Sequence, residues 1–478
     1  MTDTLPGAWT ARWEADPTRP TVFDDATGWL TGEELEVRSR VVAGRLAAAG
    51  LHPGDRLLLS AAASVDLVVL YVAALRIGLV VLPANTGYLE RELAHLVADA
   101  TPAIAVVDDA VRGEWVRAAS ADREITIVGT DVALPDGPDP AWLDGMAPDD
   151  PAILAYTSGT TGAPKGAVLS HANLLASARA LAETWRWTPD DRLILPLPLF
   201  HMHGLGVGLH GTLTAGASVV LRPGFDPADA LDAIAAHDGT LLFGVPTIWG
   251  RLAASGRIAE LASLRLGVSG SAPLAPELHA AIARDAQQRL IERYGMTETV
   301  MLTSNPYDGE RRPGTVGLPL PGVELRLAEG TDEILVRGPN VFAGYWQQPD
   351  ATAESFIDDW FATGDVGALD PDGYLRIVGR RKELIISGGY NVYPREVEDV
   401  LRTHPSVHDA AVIGVPHPDW GEEVVAVVEG GATADDVASI LALAREQLAT
   451  YKRPKRVVVV DALPRNAMGK VVKADLRI

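Results

Sequence analysis

The chain contains no cysteine. Disulfides, thiolate metal sites and a cysteine nucleophile are therefore excluded. It also lacks a long uninterrupted apolar run. The most apolar stretch, residues 65–82, includes Asp66, Arg76 and Gly78, so it reads as a buried helix running into a strand, not a membrane span. The first residues, MTDTLPGAWTARWEADP, show no cationic segment followed by an apolar one, and a cytoplasmic location with no membrane partner is expected. Positive charge is scarce as well: 41 Lys and Arg stand against 63 Asp and Glu, a net charge of −22. Such acidity argues against nucleic acid or anionic membrane held by bulk charge. Any site for anions has to gather its cations locally. The imbalance is uneven, since residues 380–478 hold 14 basic and 14 acidic side chains and the first 379 residues carry the whole excess.

What is present suggests a multi-domain enzyme. At about 100–200 residues per domain, 478 residues imply two to four domains or subdomains. Short apolar runs at 56–59, 103–107, 193–195, 241–245 and 264–268 alternate with segments of helical apolar spacing such as 227–237 and 276–287. This alternation predicts an α/β architecture with largely parallel sheets. Around the turn-forming Asp370-Pro371-Asp372-Gly373 and the charged Arg380-Arg381-Lys382-Glu383 the pattern changes. Strands are expected at 410–415, 423–428 and 456–460, and helices at 394–403 and 434–448. The expected organisation is a large domain of layered α/β subdomains over 1–379 and a small α+β domain over 380–478.

One local run carries the strongest chemical signal. An apolar strand at 152–155 leads into Tyr156-Thr157-Ser158-Gly159-Thr160-Thr161-Gly162-Ala163-Pro164-Lys165-Gly166, and a helix is expected from about His171. Small residues let backbone N–H groups approach phosphate oxygens, hydroxyls add donors, and a lysine adds a point charge. It is not a Walker loop, because Lys165 is followed by Gly and the glycine spacing differs.

This run resembles the phosphate loop of adenylate-forming enzymes, the superfamily of acyl-CoA synthetases and adenylation domains. Four further segments resemble its motifs in order: Tyr294-Gly295-Met296-Thr297-Glu298-Thr299, Trp360-Phe361-Ala362-Thr363-Gly364-Asp365, Gly379-Arg380-Arg381-Lys382-Glu383 and Pro464-Arg465-Asn466-Ala467-Met468-Gly469-Lys470. The resemblance implies ATP, Mg²⁺ and coenzyme A as substrates and cofactor. It places ATP at Thr157, Ser158, Gly159, Thr160, Thr161, Lys165, Asp365 and Arg380. It assigns Thr297 to the α-phosphate, Glu298 to the metal and Lys470 to catalysis of adenylation. It also implies a mobile small domain with its hinge at Lys382, and a coenzyme A channel at Gly388 and Gly389.

The acyl group is addressed by two features. No Asp occurs between Asp191 and Asp226, which by the same resemblance disfavours an α-amino acid. His201 matches a family histidine at the acyl pocket. The segments 243–252, 268–272 and 293–317 resemble malonyl-CoA synthetases, in which Arg251 and Ser271 would hold the distal carboxylate of malonate or methylmalonate. An arginine fork and a hydroxyl suit a second carboxylate in a partly dry pocket. The position held by Leu302 is Asn in some of these enzymes. The implied reaction is ATP-dependent ligation of the diacid to coenzyme A through an acyl-adenylate, supplying extender units for acyl-chain biosynthesis. The alternative is adenylation of another small acid with transfer to coenzyme A, a carrier-protein thiol or an amine. The cationic run 451–456 reads as a solvated strand entry or a contact for coenzyme A phosphates.

Overall fold

The computed structural model describes residues 3–120, 123–157, 164–387, 390–430, 433–466 and 469–476. The chain forms two compact units. One comprises residues 1–324 and 337–356, and the other 325–336 and 357–478. The division thus falls after residue 356, and the strands Trp360–Leu369 and Leu375–Arg380 sit with the carboxy-terminal residues.

The first unit is built on two sheets. In the nine-stranded sheet, six neighbouring strands are parallel: Ile291–Tyr294, Leu266–Ser269, Leu241–Gly244, Arg192–Leu195, Ser218–Leu221 and Pro20–Asp24. Antiparallel strands extend both edges. The seven-stranded sheet has a parallel set of Pro151–Thr157, Val80–Pro83, Arg56–Ser60, Ile104–Val107 and Thr126–Val128, with Lys165–Ser170 returning antiparallel to Pro151–Thr157. Such sheets are covered by helices on both faces, which is why their strands are apolar throughout.

Local chemistry fixes the helices. Thr31 and Glu34 form a reciprocal capping box at the start of Gly32–Ala48, and Ser170 with Asn173 does the same for His171–Thr184. The apolar stretch at 65–82 is the buried helix Val65–Arg76, capped by Ser64, followed by the strand Val80–Pro83. Its one buried cation is fully engaged. Arg76, 1% exposed, grips Asp144 bidentately at 2.9 and 2.7 Å and reaches Glu36 at 3.1 Å. No helix among the described residues is long and apolar enough to cross a membrane.

The second unit carries an antiparallel sheet in which Trp360–Leu369 pairs with Glu333–Arg337 on one side and Leu375–Arg380 on the other. A further five-stranded sheet includes Asp409–His417, Gly421–Glu429 and Arg456–Val460. The helices Pro394–Arg402 and Ala434–Gln447 contribute Val397, Leu401, Ile440 and Ala444 to a core with Val412, Val424, Ala426 and Val428 of that sheet.

Candidate active site

In the first unit Thr157 and Lys165, the two expected nucleotide residues described there, pair across the strands Pro151–Thr157 and Lys165–Ser170. Thr157 Oγ1 donates to the Lys165 carbonyl at 3.4 Å, and the Lys165 ammonium lies 5.1 Å over the Tyr345 ring. Ser158, Gly159, Thr160 and Thr161 lie outside the described residues. The Tyr345 hydroxyl donates to Glu298 Oε1 at 2.9 Å. Glu298 is 5% exposed, and burial together with this carboxylate pushes the Tyr345 phenol far above its ordinary value. Thr297 and Glu298 occupy a turn that ends at Val300, a β-branched residue held at φ +56°. That conformation is costly for valine and marks a turn fixed by its surroundings. Asn340 ties it down, donating to the carbonyls of Thr299 and Met301 at 2.9 and 2.8 Å.

The fit of a magnesium ion can be judged from the donors. No group of three or more His, Cys, Asp or Glu that could hold a metal occurs among the described residues. One buried carboxylate is the protein share expected when Mg²⁺ is held mainly by substrate phosphates and water. Glu298 fits that share.

The acyl side begins with a π-helix at His203–Leu209, which continues as the α-helix His210–Ala215. A wider turn of this kind is uncommon and is found mostly at functional sites. Gly204 makes it possible, since a Cβ there would stand 2.2 Å from the Pro198 carbonyl oxygen. The His203 backbone N–H donates to His201 Nδ1 at 3.2 Å, so the proton of a neutral His201 is on Nε2. Burial and then Arg293 pull His201 down to about 4, leaving it neutral at pH 7. His203 is buried and also shifted down, by burial, Arg293 and His201. Its Nδ1 is 3.2 Å from Ser271 Oγ, while its Nε2 is buried without a hydrogen-bond partner.

Arg293, on the strand Ile291–Tyr294, was not among the residues expected from sequence. It is 6% exposed, and its Nε and Nη2 are buried without hydrogen-bond partners. Burial lowers it to about 9. The guanidinium presses on the turn before Ser271, where a Cβ on Gly270 would meet Nε at 2.4 Å. Ser271 itself is exposed, at φ +67°. Arg251, expected to share the carboxylate with Ser271, is exposed on the helix Pro246–Ala253, its guanidinium 4.9 Å from the Phe225 ring centroid. No hydrogen bond or ion pair joins it to Ser271 or Arg293 among the described residues.

In the second unit, Asp365 and Arg380 face each other across paired strands, and Arg380 Nε lies 3.1 Å from Asp365 Oδ1. Asp365 is buried and Arg380 partly exposed, so the carboxylate has a fixed direction and the guanidinium a path to solvent. Lys382 is exposed on the short helix Arg381–Glu383; Gly388 and Gly389 lie outside the described residues. Lys470 reaches solvent, yet the surrounding protein and then Arg380 draw its ammonium below the usual lysine range. The cationic run is partly engaged: Lys452 binds Glu396 at 2.6 Å, and Lys455 lies 5.3 Å over the Trp420 ring. Tyr451 of the same run stacks on the exposed Tyr390 at 4.8 Å.

Comparison with known proteins matches residues 9–346 to the AMP-binding enzyme family and residues 396–470 to the AMP-binding enzyme C-terminal domain. An ATP-bound MatB from Rhodopseudomonas palustris superposes with a TM-score of 0.92, at 42% identity over 98% of both chains. A malonyl-CoA ligase in a ternary product complex with methylmalonyl-CoA and AMP gives a TM-score of 0.68, at 41% identity over 94% of this chain and 97% of that one. A feruloyl-CoA synthase from Amycolatopsis sp is 37% identical over 98% of both chains. With both of its parts matched along the length of the sequence, the chain belongs to the AMP-binding enzyme family, the adenylate-forming enzymes.

Proposed function

We propose that the chain ligates malonate or methylmalonate to coenzyme A. A carboxylate is a poor electrophile with a poor leaving group. Attack of the carboxylate oxygen on the α-phosphorus of ATP gives an acyl-adenylate and releases pyrophosphate; the thiol of coenzyme A then adds to the acyl carbon and AMP departs. Two anions meet in the first step, and positive charge offsets the repulsion. Lys165 and Lys470 would supply it, with the hydroxyl of Thr297 donating to the α-phosphate and Thr157, Ser158, Gly159, Thr160 and Thr161 around the phosphates. Asp365 accepts from the ribose hydroxyls beside Arg380. Glu298 would hold Mg²⁺, which when bound neutralises phosphate charge. His201, neutral at pH 7, offers Nε2–H to the acyl carboxylate. Movement of the small domain about Lys382 would exchange Lys470 for Gly388 and Gly389 between the two steps.

The observation that carries the diacid reading is Arg293. Relatives act by name on diverse acids, among them feruloyl, sulfoacetate, oxalate and malonate. A buried arginine without an acidic partner is expensive unless a ligand brings the charge. The distal carboxylate of malonate brings it, with Ser271 and the His203 ring alongside. The thioester would then serve as an extender unit for acyl-chain biosynthesis. Pyrophosphate release and thioester formation with malonate, methylmalonate, sulfoacetate, propionate and ferulate test the reading. Malonate or methylmalonate is expected to give the highest kcat/KM, and a better rate with propionate or ferulate sinks it. Arg251→Ala, measured in parallel, is expected to keep most malonate activity.

A further inference from the structure

The described residues on either side of the turn that presents Lys470 are cross-linked by backbone hydrogen bonds. Arg465 and Val471 pair as an antiparallel bridge. Asn466 N–H donates to the Lys470 carbonyl at 2.9 Å, and the Lys470 N–H returns to Asn466 Oδ1 at 3.0 Å. Val472 N–H closes the base on the Pro464 carbonyl at 2.8 Å. What differs from an ordinary surface hairpin is the charge at its two feet. Before the turn, Arg465 Nη2 donates to Asp409 Oδ2 at 2.6 Å and Glu429 Oε2 at 3.2 Å. After it, Lys473 Nζ lies 2.9 Å from Glu383 Oε2 and 2.7 Å from Glu398 Oε1. Glu398 is 8% exposed on its side chain and also accepts the Val412 N–H at 2.8 Å. Lys470 Nζ, by contrast, makes no hydrogen bond or ion pair among the described residues.

We propose that Lys473, with Arg465 opposite, is a positioning residue: it anchors the Lys470 hairpin to Glu383 and Glu398 so that the catalytic ammonium is aimed without being tied. This rests on the reading of Lys470 as the adenylation lysine. Lys473 also ties the hairpin to Glu383, the residue that follows Lys382 in the chain. A lysine aimed by its own salt bridge would have to break that bridge before meeting phosphate. A lysine aimed by its neighbours avoids that step, and side-chain placement alone governs much of the rate. Glu383 reports the contact: burial works against its ionised form, but Lys473, then Lys470 and Arg380, hold its carboxyl below the ordinary value.

The test uses the full chain and separates the half-reactions. Adenylation is followed by malonate-dependent exchange of labelled pyrophosphate into ATP. Thioester formation is followed from synthetic methylmalonyl-adenylate and coenzyme A. Lys473→Met is expected to lower the adenylation kcat by about 10- to 100-fold. KM for ATP and malonate, and the thioester step, should stay within about threefold of the parent, and Lys473→Arg should restore most of the rate. Glu383→Gln, which keeps the side-chain shape, should show the same split and covers the case in which Lys473→Met does not fold. Equal loss in both half-reactions, or an unchanged adenylation kcat in the variant that folds, overturns the proposal. Lys470→Ala is the control: if it retains adenylation, the underlying reading of Lys470 fails instead.

Discussion

Replacing Arg293 with methionine should move stability and activity in opposite directions. Arg293 is 6% exposed, two of its guanidinium nitrogens are buried without partners, and burial lowers its pKa to about 9. Exchanging a poorly compensated buried charge for a well-packed apolar side chain stabilises proteins by about 1–4 kcal/mol. At roughly 2–4 °C per kcal/mol for a domain of this size, Arg293→Met should melt several degrees higher. On the proposed reading, malonate would lose the group that pairs its second carboxylate. Truncating one partner of a buried charged pair costs about 2–5 kcal/mol, which is roughly 30- to 4,000-fold in kcat/KM at 1.4 kcal/mol per decade. Propionate has no second carboxylate, so its kcat/KM should be unchanged or higher. Arg293→Lys keeps the charge but not the fork and should fall between. The measurements are differential scanning fluorimetry without ligand and steady-state pyrophosphate release with both acids. A variant that melts lower and keeps malonate kcat/KM within about threefold refutes the reasoning on both arms.

Two further outcomes follow from the same geometry. Gly204→Ala must displace the Pro198 carbonyl, which a Cβ would approach to 2.2 Å; kcat/KM for the acid should fall about tenfold or more while KM for ATP holds, and parent-like acid kinetics would contradict it. Burial depresses His171 and His201 to about 4 and His210 to about 3. Since their folded pKa values lie below the unfolded value of about 6.5, the unfolded chain binds more protons, and stability present above pH 6.5 is lost as pH falls toward 4. A melting temperature that stays flat from pH 7 to pH 5 would be incompatible with neutral, buried rings.

Much of the fold was legible because local and tertiary demands agree. The apolar runs at 56–59 and 241–245 became the strands Arg56–Ser60 and Leu241–Gly244, and the helical spacing at 276–287 became Pro276–Asp285. Asp66 and Arg76 did not break the helix at 65–76, because Arg76 finds Asp144 and Glu36 from other segments. The turn near residue 370 joins two paired strands of the second compact unit, which takes in residues 325–336 and 357–478. Arg293 was hidden for a different reason. In Ile-Glu-Arg-Tyr it reads as one polar residue of a strand, and the burial of its Nε and Nη2 against Gly270 appears only in the fold. Its place directly before the Tyr-Gly-Met-Thr-Glu segment was the available signal. Arg251 is exposed on the helix Pro246–Ala253 beside Phe225. The π-helix was illegible too, since Gly-x-Gly-x-Gly alternation at 204–208 resembles neither helical nor strand spacing.

That π-helix makes the direction of His203 a matter of counting. A π-turn holds one more residue than an α-turn of the same span, and each residue of an α-helix rotates by about 100°. Removing a single residue from Gly204–Gly208 would let the segment relax to an α-helix in register with His210–Ala215 and swing His203 about 100° away from Ser271. On the proposed reading, a one-residue deletion in this helix would change acid use in this chain while Ser271, His203 and Arg293 are all kept.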